Sequence, residues 1–473
     1  MSEIERVDVL VFGGGIGGKL TAWTSAGEGL RTAVVERGLI GGSCPNIACL
    51  PTKNIIHSAK VADFVRHDRE FGSGTPPAVL EMTEVRARKR RMVDGLVSMH
   101  MDKYKASGAE LVFGEGRFVG SKTIEVHLKN GGLRTLQGDR VFLNLGTHAA
   151  IPDIPGLRAA KPLTHVEALE LDRLPAHLLV LGGGYVGLEF AQAFARFGSR
   201  VTVLERGPQL LGREDRDVTD TLLDFLHLDG VDVRLNVNVA RVEGTSGGSV
   251  RVSLTTAAGE SILEGSDILS ATGRIPNTQN IGLEKTGVAL DARGFIQVNE
   301  RLETTAPGIW ALGECAGSPQ FTHVSEDDFR IVHANLHGGS RSTRDRLIPF
   351  CLFTDPEIAR VGLNENEAAT MGRAYRLAKL PMDAVFRART LSETRGFMKT
   401  LVGVDSDEIL GFTAVGPNAG EIMAVVQTAM MGKMPYTALR DAVFTHPTMA
   451  EGLGPLFGVV PARTHARVEG RTA

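Results

Sequence analysis

The apolar run from Val7 to Phe12 leads into Gly13-Gly14-Gly15-Ile16-Gly17-Gly18, followed by a helically spaced stretch ending near Gly27. A short apolar run bounded by glycine reads as a strand buried on both faces. Thr32 to Val35 is a second such run and closes on Glu36. The arrangement returns later in the chain. Leu178 to Leu181 is the strand, Gly182-Gly183-Gly184-Tyr185-Val186-Gly187 the turn, Leu188 to Phe197 the helix, and Val201 to Leu204 the next strand, closing on Glu205. Two βαβ units of this kind predict two nucleotide-binding domains built on parallel sheets.

Between the repeats, the pattern from Ser58 to Ala106 is helical and charged, and shorter strands with Gly-rich turns follow up to Gly146. Pro152, Pro155 and Gly156 mark a linker. Strand-like alternation resumes from Val231 to Asp267. After Ile348 come apolar strands and two long helical stretches, which predict a third, α+β domain.

Composition narrows the picture. A chain of 473 residues is too long for one hydrophobic core. A net charge of −3 gives no reason to expect nucleic acid as a partner. The basic run Arg86-Ala87-Arg88-Lys89-Arg90-Arg91 reads as the solvated face of a helix. No apolar stretch approaches the ~18–20 residues of a membrane helix, and Met1 to Val11 shows no signal-peptide pattern. The expectation is a cytoplasmic protein with no membrane partner. The 4 cysteines are too few for a disulfide-stapled scaffold, so a close pair is more readily catalytic or metal-binding.

In each Gly-x-Gly-x-x-Gly turn, the glycines permit a tight turn and close approach of backbone to a pyrophosphate, with the helix N-terminus supplying N–H donors. Each copy has its strand, its helix and an acid at the end of the following strand, placed to meet ribose hydroxyls. Glu205 favours NAD(H), because a carboxylate repels the 2′-phosphate of NADP(H). Arg206, with Arg213 as a helper, is the competing feature.

Cys44 and Cys49 lie five positions apart in Gly41-Gly42-Ser43-Cys44-Pro45-Asn46-Ile47-Ala48-Cys49-Leu50-Pro51-Thr52-Lys53. In a regular helix the axial rise between them is about 7.5 Å, beyond the ~4.4–6.8 Å Cα separation of a disulfide. A bridge therefore requires the backbone around Pro45 to leave helical geometry. The pair then sits at an irregular helix start, where N–H groups favour a thiolate. Two unrelated buried cysteines, or a zinc site, are the alternatives at this point. Cys315 and Cys351 stand singly and read as packed core residues.

The cysteine segment resembles the redox-active motif of the class I pyridine nucleotide–disulfide oxidoreductases, which include dihydrolipoamide dehydrogenase, glutathione reductase and mercuric reductase. The likeness runs from Val7 to about Glu451 with its motifs in family order. It implies an α/β chain with two Rossmann-like FAD- and NAD(P)-binding domains plus a C-terminal α+β dimerisation domain. The divisions are 1–150 with 272–347 for FAD, 151–271 for NAD(P), and 348–473 for dimerisation. Gly13, Gly15, Gly18 and Glu36 match FAD positions, as do Gly42, Ser43, Gly146, Gly273 in Ala271-Thr272-Gly273-Arg274, and Gly313. Glu314 stands where the family usually has Asp. Gly182, Gly184, Gly187, Glu205 and Arg206 match the nicotinamide-nucleotide side.

The resemblance also implies roles. Cys49 is the thiolate against the flavin and Cys44 the thiol that meets substrate. Lys53 matches the lysine near flavin N5, Glu189 its carboxylate partner, and Tyr185 the gate for nicotinamide. His446 and Glu451, in Thr445-His446-Pro447-Thr448-Met449-Ala450-Glu451, match the acid–base pair that reaches the cysteines of the other subunit in a homodimer. Trp23 occupies the place of a substrate-binding arginine of glutathione reductases, which disfavours glutathione. No cysteine follows Cys351, which argues against a dedicated mercuric reductase. A dihydrolipoamide-type disulfide acceptor is the leading expectation. A metal-ion reductase and a non-turnover flavin redox sensor are the alternatives.

Overall fold

The computed structural model describes residues 3–74, 80–344 and 346–463. Its first sheet carries the parallel strands Thr32–Glu36, Ile4–Phe12, Leu133–Leu143 and Ile309–Ala311, with the start of Glu110–Gly120 beside Thr32–Glu36. All of Thr32–Glu36 is buried, as a strand covered on both faces requires. Beyond Phe113, Glu110–Gly120 turns away and pairs antiparallel with Thr123–Leu128, which pairs with the start of Leu133–Leu143. A Cβ on Gly114 would stand 2.3 Å from the His127 carbonyl oxygen, so glycine is what permits the corner.

The second sheet is wholly parallel, in the order Asp267–Ser270, His177–Leu181, Arg200–Leu204, Val231–Arg234. An antiparallel meander, Asn238–Thr245, Ser249–Thr256 and Gly259–Gly265, lies beside it in sequence. The third sheet is antiparallel, in the order Phe350–Leu352, Glu357–Gly362, Ile409–Gly416, Phe397–Gly403, Tyr375–Pro381. Its two strands Phe397–Gly403 and Ile409–Gly416 are buried throughout. The fold is therefore α/β, with two Rossmann-like units and a C-terminal α+β unit.

Two expectations change. The basic run does not simply face solvent on the helix Met82–Ser107. Lys89 is buried and bonds Glu170, Arg90 meets Glu170 at 2.6 Å, and Arg86 meets Asp172 at 2.9 Å. Acids at 170 and 172 draw the basic face onto the second unit. Only one long helix, Ala419–Met431, follows Ile348 among the described residues. Gly432 N still bonds Thr428 O at 3.0 Å, and the helix ends where Lys433 turns left-handed at φ +51°. Cys315 is buried as expected, whereas Cys351 is half-buried beside Gly420. The tail from 464 on lies outside the described residues.

A buried ammonium docks the third unit on the second. Lys399 Nζ lies 2.7 Å from Asp215, 2.7 Å from Asp217 and 2.9 Å from Glu365. Asp215 stands at the N-cap position of the helix Arg216–Leu228, and its carboxylate also accepts from the backbone N–H groups of Glu365 and Asn366. Removing only the cation strands buried carboxylate charge, which costs about 3 kcal/mol or more. Lys399→Met is accordingly expected to lower the urea midpoint of unfolding by an amount of that order. An unchanged midpoint would contradict this account of the docking.

Candidate active site

Ser43–Ile47 forms one short helix, Ala48 leaves helical geometry at φ −135° and ψ −107°, and a second helix runs Cys49–Arg66. The interruption therefore falls at Ala48, not around Pro45. Pro45 sits in the first turn, where a missing N–H leaves no helical bond unmade. The break brings the two cysteines close enough for each to act on the other's thiol, and both are free. Cys49 Sγ also lies 3.4 Å from Thr322 Oγ1.

The two thiols are driven in opposite directions. The hydrogen bond from Cys44, with help from Thr322 and the charge of Lys53, pulls Cys49 down to about 6 against its burial. Cys49 also opens a helix, where N–H groups and the dipole favour an anion. The same hydrogen bond, with burial and the negative charge of Cys49, holds the Cys44 thiol well above its ordinary value. The shared proton therefore rests on Cys44.

Lys53, one turn into that helix, places Nζ 2.8 Å from both carboxylate oxygens of Glu189. Glu189 is buried in the helix Tyr185–Phe197 and also accepts from the Phe353 backbone N–H at 3.1 Å. The Phe353 ring lies under the ammonium, 4.7 Å from Nζ. Tyr185, at the start of the same helix, packs edge-on against Phe321, next to Thr322. Lys53 and Glu189 are thus paired, and Tyr185 opens the helix that carries Glu189. Thr322 and Phe353 carried no sequence signal.

Lys19 is a further residue missed by sequence reasoning. It is buried directly after the first glycine turn and bonds Nε2 of His100. His100 Nδ1 lies 2.6 Å from the Leu96 carbonyl oxygen, so Nδ1 carries the hydrogen and Nε2 accepts from the ammonium. Burial pushes the Lys19 amine down to about 8, and the charge of a Cys44 thiolate opposes that fall. Trp23 stacks near His100 and lies 5.7 Å from the Lys19 ammonium. The only signal for this group was a lysine on an otherwise apolar helix face.

The glycine turns are built alike. Gly13 N bonds Val35 O at 2.9 Å, and Gly182 N bonds Leu204 O at 3.0 Å. Gly13 and Gly182 have φ of +96° and +104°, and a Cβ on either would strike backbone. A Cβ on Gly15 would strike the side chain of Asn144, while one on Gly18 or Gly187 would strike the carbonyl of its own turn. At Gly184 a Cβ would meet nothing within 4 Å, leaving the backbone open to a ligand. Each terminal acid bonds its turn: Glu36 accepts from Gly14 N at 2.9 Å and Gly38 N at 2.7 Å, Glu205 from Gly183 N at 2.7 Å and Gly207 N at 2.6 Å. Arg206 and Arg213 are exposed.

Asn144, also missed, accepts from Gly18 N and donates to Leu312 O, clamping the first turn to the returning chain. Gly42, at φ +81°, packs on Gly15 and leads into Ser43 at the start of the short helix. Gly146 and Gly273 have positive φ and open surroundings. Gly313 donates to Asp328. Glu314 accepts from Arg274 Nε at 3.1 Å and from Thr147, so its carboxylate is already engaged. Tyr104 Oη is buried without a hydrogen-bond partner, 3.3 Å from where a Gly14 Cβ would stand.

His446 stands apart from the cysteines. Its Nδ1 is 2.8 Å from Glu451 Oε2, its side chain is 66% exposed, and its ring packs edge-on against Phe386. Among the described residues, the hydrogen-bond partners of the two sulfurs are each other and Thr322, not His446. Phe386 and Val443 nearby are exposed apolar side chains.

Residues 7–328 match the family model described as pyridine nucleotide-disulphide oxidoreductase, and residues 348–456 match its dimerisation domain. The chain is 36% identical to a probable pyridine nucleotide-disulfide oxidoreductase, RclA, of Escherichia coli, over 97% of this chain and 100% of that one. It is 34% identical to a mercuric reductase of Acidithiobacillus ferrooxidans, over 95% of this chain and 82% of that one. The solved Cu(II) complex of RclA, described as an HOCl-induced flavoprotein disulfide reductase, aligns with a TM-score of 0.88 at 34% identity, covering 97% of this chain and 100% of that one. No helix among the described residues is long and apolar enough to cross a membrane.

Thiolate absorbance of the reduced chain is expected to titrate with a midpoint near pH 6, reporting Cys49. Cys44→Ala removes the donated hydrogen bond and is expected to raise that midpoint by about one unit, whereas Cys44→Ser keeps a donor and raises it less. Equal midpoints in all three proteins would contradict the assignment.

Proposed function

This chain belongs to the pyridine nucleotide–disulfide oxidoreductase family and is an oxidoreductase, and from that premise we propose that it reduces a small dihydrolipoamide-type disulfide through Cys44 and Cys49, as a homodimer. Family membership implies FAD and a pyridine nucleotide. The observation that carries the reading is the break at Ala48, which sets Cys44 and Cys49 together at the start of a helix, with Thr322 against Cys49 and the Lys53–Glu189 pair one turn on.

The residues of the first unit suit FAD. Glu36 is fixed by two backbone N–H groups beside the glycine turn, and the orphaned Tyr104 hydroxyl opens on the same corner. Gly13, Gly15, Gly18 and Glu36 would hold its pyrophosphate and ribose, with Gly42, Ser43, Gly146, Gly273, Gly313 and Glu314 along its length. Bound there, FAD would supply the two-electron exchange that returns the disulfide to the dithiol. Gly182, Gly184, Gly187 and Glu205 would hold the nicotinamide nucleotide, with Tyr185 as its gate. NAD(H) is favoured because Glu205 is locked in place by Gly183 and Gly207. Arg206 is the residue that would accommodate NADP(H). We assign 1–150 with 272–347 to FAD, 151–271 to NAD(P) and 348–473 to dimerisation.

The chain's own thiols then carry the exchange. Cys44, once deprotonated, attacks one sulfur of the acceptor and expels the other as a thiolate. Cys49 attacks Cys44, expels the second acceptor thiolate and closes the Cys44–Cys49 disulfide. Cys44 needs a base, because its neighbour holds the proton on it. His446 of the partner subunit, oriented by that subunit's Glu451, takes this proton and returns it to the first leaving sulfur, while the second leaving sulfur takes its proton from solvent. The exposed apolar side chains Phe386 and Val443 beside His446 suit a face covered in a homodimer. Lys19 sets a positive charge near Cys44, and Lys53, held by Glu189, does so near Cys49.

A second reading is a metal-ion reductase, in which the dithiol takes a soft ion as substrate. The likeness to RclA, solved as a Cu(II) complex, and to a mercuric reductase favours it. The two readings differ in their need for a base. With an oxidised lipoamide as acceptor, His446→Ala is expected to lower turnover at least about 100-fold, while turnover with Cu(II) is largely retained. Equal retention with both acceptors would contradict the disulfide reading, and acceptor-independent behaviour would leave only a redox sensor.

A further inference from the structure

Glu28 is the C-cap residue of the helix Ile16–Gly27. That is the negative end of a helix dipole, where a further negative charge is opposed. Two imidazoles face it. His333 lies in the last turn of the helix Thr322–Leu336, and His337 is that helix's C-cap. Spaced four apart, they share one face. Nε2 of His333 is 2.8 Å and Nε2 of His337 is 3.6 Å from the same oxygen, Glu28 Oε1. The three donor atoms all lie within 4.8 Å of one another.

The tautomer of His337 sharpens the point. Its Nδ1 lies 2.8 Å from the His333 carbonyl oxygen. A carbonyl can only accept, so Nδ1 carries the hydrogen, and neutral His337 aims the lone pair of Nε2 at a carboxylate. A cation placed between two such acceptors would be bound by both. A backbone carbonyl holding the far N–H is also the orienting contact that metal-binding histidines commonly have. The other convergent acidic group among the described residues, Asp215, Asp217 and Glu365, already encloses the ammonium of Lys399.

We propose that Glu28, His333 and His337 form a binding site for a divalent transition-metal ion of the zinc type, distinct from the cysteine pair. Two imidazoles and one carboxylate are a ligand set suited to zinc, with the remaining position open to water. Tetrahedral zinc with bonds of ~2.0–2.1 Å sets its ligand atoms about 3.4 Å apart; the distances of 2.8 and 3.6 Å bracket that value. Glu28, His333 and His337 are 35%, 36% and 52% exposed, so an ion can enter from solvent. Binding needs the Nε2 lone pair of His333, so its ring takes the tautomer with hydrogen on Nδ1, the hydrogen moving there from Nε2 through water. Roughly 16 Å of helical rise separates His333 from Thr322, the contact of Cys49. The ion would cross-link the far ends of the two helices whose first turns carry Gly18 and Thr322.

The test is calorimetric titration of the tag-free, FAD-loaded full chain with zinc chloride. Cys44 and Cys49 are changed to serine so that the dithiol takes no metal. One zinc per chain is expected, with affinity falling at least tenfold in His337→Gln and in Glu28→Gln. Zinc is also expected to raise the thermal midpoint of the His-intact protein and not of the two variants. Absence of zinc binding to the His-intact protein, or equal binding by the variants, would overturn the proposal.

Discussion

The site depends on a single interruption of helical geometry. A continuous helix through Cys44 and Cys49 would hold their sulfurs too far apart to interact. Ala48 departs from it, and the second helix begins afresh at Cys49. That one residue has two consequences. It brings the two cysteines together, and it gives Cys49 the N-terminal position of a long helix, where a negative charge is stabilised. The uneven sharing of one proton between the sulfurs follows from both, and the division of labour proposed for them follows from that sharing.

Around this point the molecule uses the same device twice. Each glycine turn is held by a carboxylate at the end of the next strand, through the N–H of its second glycine and the N–H two residues past the acid. The copies differ in what surrounds them. Gly13–Gly18 is clamped by Asn144 to the returning chain and packed by Gly42, which ties the first turn to the cysteine segment. Gly182–Gly187 instead leads into the helix that supplies Tyr185 and Glu189. The two glycine turns thus connect to the cysteine segment differently, the first through Gly42 and the second through the helix whose Glu189 holds Lys53.

Much of this was legible in the chain. Apolar runs ending in glycine marked both parallel sheets within a few residues, because strand burial and turn chemistry are local. The Lys53–Glu189 and His446–Glu451 pairs were reached through family motifs. What escaped notice was set by packing between distant segments. Lys89 reads as one more charge in a basic run, yet it is buried because Glu170 comes to meet it. Thr322, Asn144, Lys19 and His100 gain meaning only when chain segments far apart in sequence meet. The break at Ala48 was misplaced to Pro45 because a proline is the obvious breaker, although the first turn of a helix tolerates it.

The claim that the cysteine pair exchanges electrons with the nucleotide is tested most directly by anaerobic titration. The FAD-loaded protein, starting with the disulfide closed, receives one equivalent of NADH while absorbance and free thiols are followed together. The account predicts two new titratable thiols per chain and a long-wavelength absorbance that Cys49→Ser abolishes. Bleaching of the flavin with no gain of thiols would contradict it.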